Sequence, residues 1–221
     1  MSAPTRVSEL SPPPLLRWGR RLGWAWLALV TGAAVLVVAR RSHPVTPAFS
    51  APAPVVAAGA AIDLARFDLG ARLEVSSYLS TASHHPIFAI DGAGGADRQL
   101  DPLLKWVSAT SDHAPWLIVR WPWPVDLDEV RLVHAGRFEH GDYTNRDFTI
   151  ACLGADDAPL ASTSVRDNRE PISRHPLACQ GATALRVDFA VEAAKESARA
   201  VVRLYELEAL GRPHRAPAGA P

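Results

Sequence analysis

Eighteen consecutive uncharged residues, Leu22–Ala39 (LGWAWLALVTGAAVLVVA), stand between Arg20-Arg21 and Arg40-Arg41. At the α-helical rise they cover about 27 Å, close to the roughly 30 Å of a bilayer core. Trp18, Trp24 and Trp26 cluster at one end, where interfacial aromatics sit. The segment therefore reads as one transmembrane helix over residues 22–39, and it constrains the rest of the chain to one side of a membrane or the other. Arginines are denser before it (Arg6, Arg17, Arg20, Arg21) than after it. Positive-inside bias then puts residues 1–21 in the cytoplasm as a disordered lead and exports everything C-terminal, to the periplasm or the cell exterior. A cleaved signal peptide is the competing reading; the long lead and long apolar core favour an uncleaved signal anchor.

The net charge of zero, 23 basic against 23 acidic residues, conceals this division. Residues 1–41 hold six Arg and one Glu, whereas residues 42–221 hold 17 basic and 22 acidic side chains. An acidic main segment without a Lys/Arg run excludes nucleic acid as a partner. Residues 40–62 are rich in Pro and Ala and read as an extended linker, and residues 212–221 as a disordered tail. That leaves residues 63–211 for one folded domain.

Within it, hydrophobicity alternates with period two. Phe148, Ile150 and Cys152 alternate with polar or small neighbours, as do Leu185, Val187 and Phe189, and Leu73 and Val75. Trp116–Trp121, Val130–Val133 and Val201–Leu210 are apolar runs suited to buried strands, with Pro and Gly punctuating between them. Short strands without alternating helices predict an antiparallel sandwich. Val191–Ala200 (VEAAKESARA) dissents through its helix formers and is read as a loop or short helical turn. Cys152 and Cys179 permit one disulfide in an exported domain, or two buried thiols.

Several segments, in order, resemble the discoidin, or coagulation-factor type C, family. They are Ser83–Gly92 with its Ala89-Ile90-Asp91-Gly92, Lys105–Ser108, Ala114–Val119, Val130–Val133, Arg146–Ile150, Ala184–Val187 and the closing Leu204–Gly211. The resemblance implies an all-β fold: an antiparallel jelly-roll sandwich of the galactose-binding-like type, here preceded by the transmembrane helix. Two departures stand out, Arg120-Trp121-Pro122 in place of the family's Asp-Leu-Gly and 14 residues between Asp91 and Trp106.

The resemblance also implies candidate sites. Asp91 and Glu206 match positions near which relatives hold a structural calcium, and Asp97 and Asp101 could add oxygens. The other reading has Asp91 capping a turn and Glu206 pairing with an Arg. For a glycan, the connection His134–Arg146 (HAGRFEHGDYTNR) concentrates His134, Arg137, His140, Tyr143, Asn145 and Arg146 between two strands. Trp121 and Trp123 either stack on a sugar or close the sandwich. No GxSxG, HExxH, P-loop or dinucleotide motif is present. The expectation is a membrane-anchored, non-catalytic module that recognises a glycan. The alternatives are a protein–protein interaction domain of an envelope complex and an accessory domain to an enzyme on another chain.

Overall fold

Two strands of 19 residues each, β5 (Trp116–His134) and β8 (Ile172–Ala190), organise the fold. The computed structural model describes residues 43–44, 54, 60–94, 101, 103–192, 197 and 200–215. All strands lie in the unit Ser42–Pro221. The others are β1 (His43–Pro44), β2 (Ile62–Asp63), β3 (Arg72–Val75), β4 (Trp106–Val107), β6 (Asp147–Leu153), β7 (Pro159–Val165) and β9 (Arg203–Pro213). Every pairing is antiparallel.

The first half of β5 pairs with β3 on one side and with the second half of β8 on the other. β8 continues this layer to β6 and β7. Past Arg120 the register breaks, and from Val125 onward β5 pairs with β9 and with the first half of β8. Both long strands thus cross from one layer to the other at mid-length. The reason is local. Pro122 and Pro124 have no N–H to give to a ladder, and Gly181 of β8, next to the Val125↔Ala182 pair, takes φ +68°, which a side chain disfavours. Its N–H is held by Asp126 Oδ1 at 3.0 Å.

The layers face each other across a core that alternation built. Leu73, Leu117, Val119, Phe148, Ile150 and Val187 come from the first layer, and Val130, Leu132, Leu204 and Leu207 from the second. Each such side chain contributes about 1.5–3 kcal/mol when fully buried. Trp106 is fully buried, and its Nε1 donates to Ser77 O at 3.0 Å. Pairing also runs beyond the expected domain limits: His43–Pro44, in the linker, adds to β3, and β9 continues to Pro213. Backbone complementarity, not composition, sets those edges.

Because β5 and β8 turn over halfway, both ends of each strand arrive at one end of the sandwich. Val133 lies opposite Ile172, Asp147 opposite Ala190, and Leu204 opposite both Trp106 and His134. The connections 135–146 and 166–171, and the two ends of the connection between β8 and β9, therefore share that end. Among the described residues no helix is long and apolar enough to cross a membrane. The expected span Leu22–Ala39 lies outside the described residues, as do Asp97 and most of Val191–Ala200.

Cys152 of β6 and Cys179 of β8 are joined by a disulfide. It closes a loop of 27 residues of sequence separation and ties the two halves of the crossing together. Replacing both cysteines by Ala is expected to cost about 2–4 kcal/mol of unfolding free energy, measurable as a lower denaturant midpoint, with a steeper slope because the unfolded chain is no longer cross-linked.

Candidate functional site

A cleft of about 310 Å³ opens at the loop end, lined among others by Tyr143, Asn145, Arg146, Asp167, Glu192 and Val201. Three connections build it. The 135–146 connection is stiffened by two short 3-10 turns, Ala135–Arg137 and Gly141–Tyr143. His140 caps the second, its Nδ1 accepting from the Asp142 N–H at 3.3 Å. Gly136 is required there, since a Cβ would run into the Thr144 hydroxyl.

On the cleft wall, Arg146 Nη1 bonds Asp167 Oδ1 at 2.8 Å, and Arg169 Nη2 bonds Asp167 Oδ2 at 2.8 Å. Arg169 first, then Arg146, holds the exposed Asp167 carboxylate below its ordinary pKa. Asp167 itself takes φ +48°, a turn geometry that Asp tolerates. The Arg203 guanidinium stands 4.2 Å over the Tyr143 ring, a cation–π contact that fixes the plane of the ring.

Beneath the loop, His134 is fully buried, so it supports the cleft without reaching its surface. Its Nε2 meets Ser173 Oγ at 2.9 Å and its Nδ1 meets Asn145 Nδ2 at 2.9 Å. Burial first, then nearby His175, lowers its pKa to about 3, so the ring is neutral. A second anchor lies beside it. Glu139 Oε1 accepts from Tyr205 O–H and from Lys105 Nζ, each at 2.8 Å, while the Phe138 ring packs edge-on to Tyr205. Lys105, before β4, and Tyr205, on β9, are both buried.

The sequence-derived candidates thus separate. Tyr143, Asn145 and Arg146 line the cleft, and His134 lies under it. Arg137 and His140 are exposed on the same connection but outside the lining. The two tryptophans of Arg120–Pro124 are half a strand away, where β5 changes layers. Trp121 is 7 % exposed and donates to Leu64 O at 2.8 Å, so its indole closes the sandwich and is withdrawn from any sugar. Trp123 packs, partly buried, on the same core. Sequence reasoning missed Asp167, Glu192 and Val201, which arrive from other connections, and Arg203, at the start of β9. Only the Asp167-Asn168 turn pair carried a local signal.

Glu206 is fully buried and spends both oxygens on backbone. Oε1 accepts from the Gly92 N–H at 3.2 Å and Oε2 from the Gly94 N–H at 2.7 Å. Asp91 Oδ1 accepts from the Ala93 N–H at 2.7 Å, so the pair shapes the Asp91–Gly94 turn. Calcium asks for about six to eight oxygens. Among the described residues no group of three or more His, Cys, Asp or Glu side chains is arranged for a metal. The carboxylates present fit a turn clamp better than a calcium cage.

No family model matches the chain, and no curated protein matches it. Solved structures do. The lectin domain of Lectinolysin complexed with Lewis B antigen aligns at 18% identity, covering 68% of this chain and 96% of its own, with a TM-score of 0.54. A fucose binding module of Streptococcus pneumoniae aligns at 14% identity over 72% and 99%, TM-score 0.53. The family 32 carbohydrate-binding module of EndoD from the same organism aligns at 16% over 67% and 98%, TM-score 0.52. The fold is a galactose-binding-like jelly roll. Within that jelly roll, the cleft sits among the connections at the open end of the sandwich.

Burial first, then Asp91 and Asp63, raises the Glu206 pKa from 4.5 to about 9, and burial raises Asp63 from 3.8 to about 6. The folded state keeps protons that the unfolded chain releases, so both groups subtract stability as pH rises through these windows. His134 acts oppositely, between about pH 3 and its ordinary 6.5. Between pH 6.5 and 9 Glu206 is alone among these three, and the melting temperature is expected to fall by a few degrees. Glu206→Gln should flatten that decline in a thermal melt series.

Proposed function

We propose that this chain is a non-catalytic glycan-binding module displayed on the outer side of a membrane by residues 22–39. The reading is carried by the convergence of Tyr143, Asn145 and Arg146 on one cleft at the loop end of a jelly roll. A flat ring, a side-chain amide and a guanidinium are the groups that sugar hydroxyls and ring faces engage. Neighbours of the same fold include modules whose structures hold Lewis B antigen or galactose, which supports the ligand class for this cleft. The cleft is preorganised: Arg203 holds the tyrosine, Asp167 the arginine, and His134 the asparagine, so little ordering cost remains at binding.

The disulfide supports export, because such bonds persist in oxidising compartments. The arginine-flanked apolar segment supplies a tether on the cytoplasmic side of that domain.

The test is a glycan array probed with the full-length chain in detergent, followed by calorimetry on the strongest sugar. Tyr143→Ala and Arg146→Ala should each weaken binding at least tenfold, while Trp123→Phe leaves it unchanged. Absence of binding to every glycan, with the chain folded, would overturn the reading. Capture of one envelope protein through the same cleft would replace it with a protein-partner role.

A further inference from the structure

The hydrogen-bond directions around Asn145 can be solved without ambiguity. Asn145 Nδ2 lies 3.1 Å from the carbonyl oxygen of Arg203, which only accepts. The amide nitrogen must therefore occupy that place, and its second hydrogen points to His134 Nδ1 at 2.9 Å. Nδ1 is then an acceptor, and in a neutral imidazole the proton must sit on Nε2. Nε2–H has its acceptor in Ser173 Oγ at 2.9 Å. Asn168 Nδ2, also near Nε2, spends its two hydrogens on the carbonyl oxygens of Asn145 (3.0 Å) and Glu170 (3.2 Å). Ser173 keeps its own hydrogen for His175 Nε2, 2.8 Å away. Every donor in this buried chain is matched to one acceptor.

One atom is left over. Asn145 Oδ1 has no hydrogen-bond partner among the described residues, and Asn145 lines the cleft. We propose that His134 is a positioning residue: as the Nε2–H tautomer, locked by Ser173, it turns the Asn145 carbonyl oxygen into the cleft as an acceptor for a ligand hydroxyl or ammonium donor. The ligand half of this inference rests on the glycan reading of the cleft; the tautomer half does not. The other tautomer would put an N–H against the Asn145 NH₂, and a flipped amide would put Oδ1 against the Arg203 carbonyl oxygen, so either arrangement displaces the Asn145 side chain from its place in the cleft.

The experiment uses the full-length, 15N-labelled chain in detergent micelles. Ring-nitrogen NMR should show His134 with Nε2 protonated and Nδ1 bare from pH 5 to 8. An Nδ1–H tautomer or an imidazolium in that range overturns the proposal. Ser173→Ala, on β8 and outside the cleft lining, should shift the ring toward Nδ1–H and move the Asn145 side-chain amide resonances. It should also weaken binding of whichever of galactose, fucose or glucosamine binds the native chain by about tenfold, one hydrogen bond's worth. Ser173→Thr, which keeps the hydroxyl, should restore both readouts. Unchanged amide resonances and unchanged affinity in Ser173→Ala would overturn the positioning role. If the native chain binds none of the three sugars, the acceptor role toward sugar falls with the glycan reading, and the NMR result alone decides the tautomer.

Discussion

The rest of the structure depends on one constraint: β5 and β8 must stay paired with each other while changing layers at mid-length. Antiparallel pairing between them runs from Trp116↔Asp188 to Val133↔Ile172 and is interrupted only between Arg120 and Glu129. Two prolines on one strand and a left-handed glycine on the other release the ladder at that place, and the disulfide and the Asp126–Gly181 hydrogen bond hold the crossing. Without the crossing there would be two separate sheets. With it, one core is closed and four strand ends are delivered to the same rim.

That rim is where polar chemistry is tolerated, and it is organised from below. His134, Ser173, Asn168 and Asn145 form a polar chain in which each donor has an acceptor, the condition under which such networks rigidify, and only Asn145 Oδ1 is left facing the cleft. Lys105, Glu139 and Tyr205 do the same for the other flank of the connection. Glu206 reaches across from β9 to clamp the Asp91–Gly94 turn, and its raised pKa reflects the cost of burying a carboxyl beside two others. The rim thus trades some pH-dependent stability for fixed loops.

Much of the fold was legible because burial on one face imposes period two. The strands around Leu73, Phe148 and Leu185 were read from that signal, and they are where alternation meets a one-sided core. What escaped were segments whose environment changes along their length. Arg120–Pro124 read as a proline turn between two strands, yet β5 runs through it, because Pro is allowed where a strand leaves its neighbour. The exposed edge strand β7 (PLASTSV) carries weak alternation because none of its residues is fully buried, and the first half of β8 because the polar Ser173 shares its buried positions with Leu177 and Cys179.

The sequence by itself determined an arginine-flanked apolar segment, an all-β domain, and a connection dense in ring, amide and guanidinium groups. These are properties of composition and short-range periodicity. Only the tertiary structure decided which of those groups work together. It buried His134 and Trp121, left Tyr143, Asn145 and Arg146 on a common wall, and brought Asp167, Glu192 and Arg203 to them from other parts of the chain. A local pattern can say that a side chain is polar and lies near a turn. Which way its hydrogen bonds point depends on atoms far along the chain, and for Asn145 those atoms belong to His134, 11 residues away, and Arg203, 58 residues away.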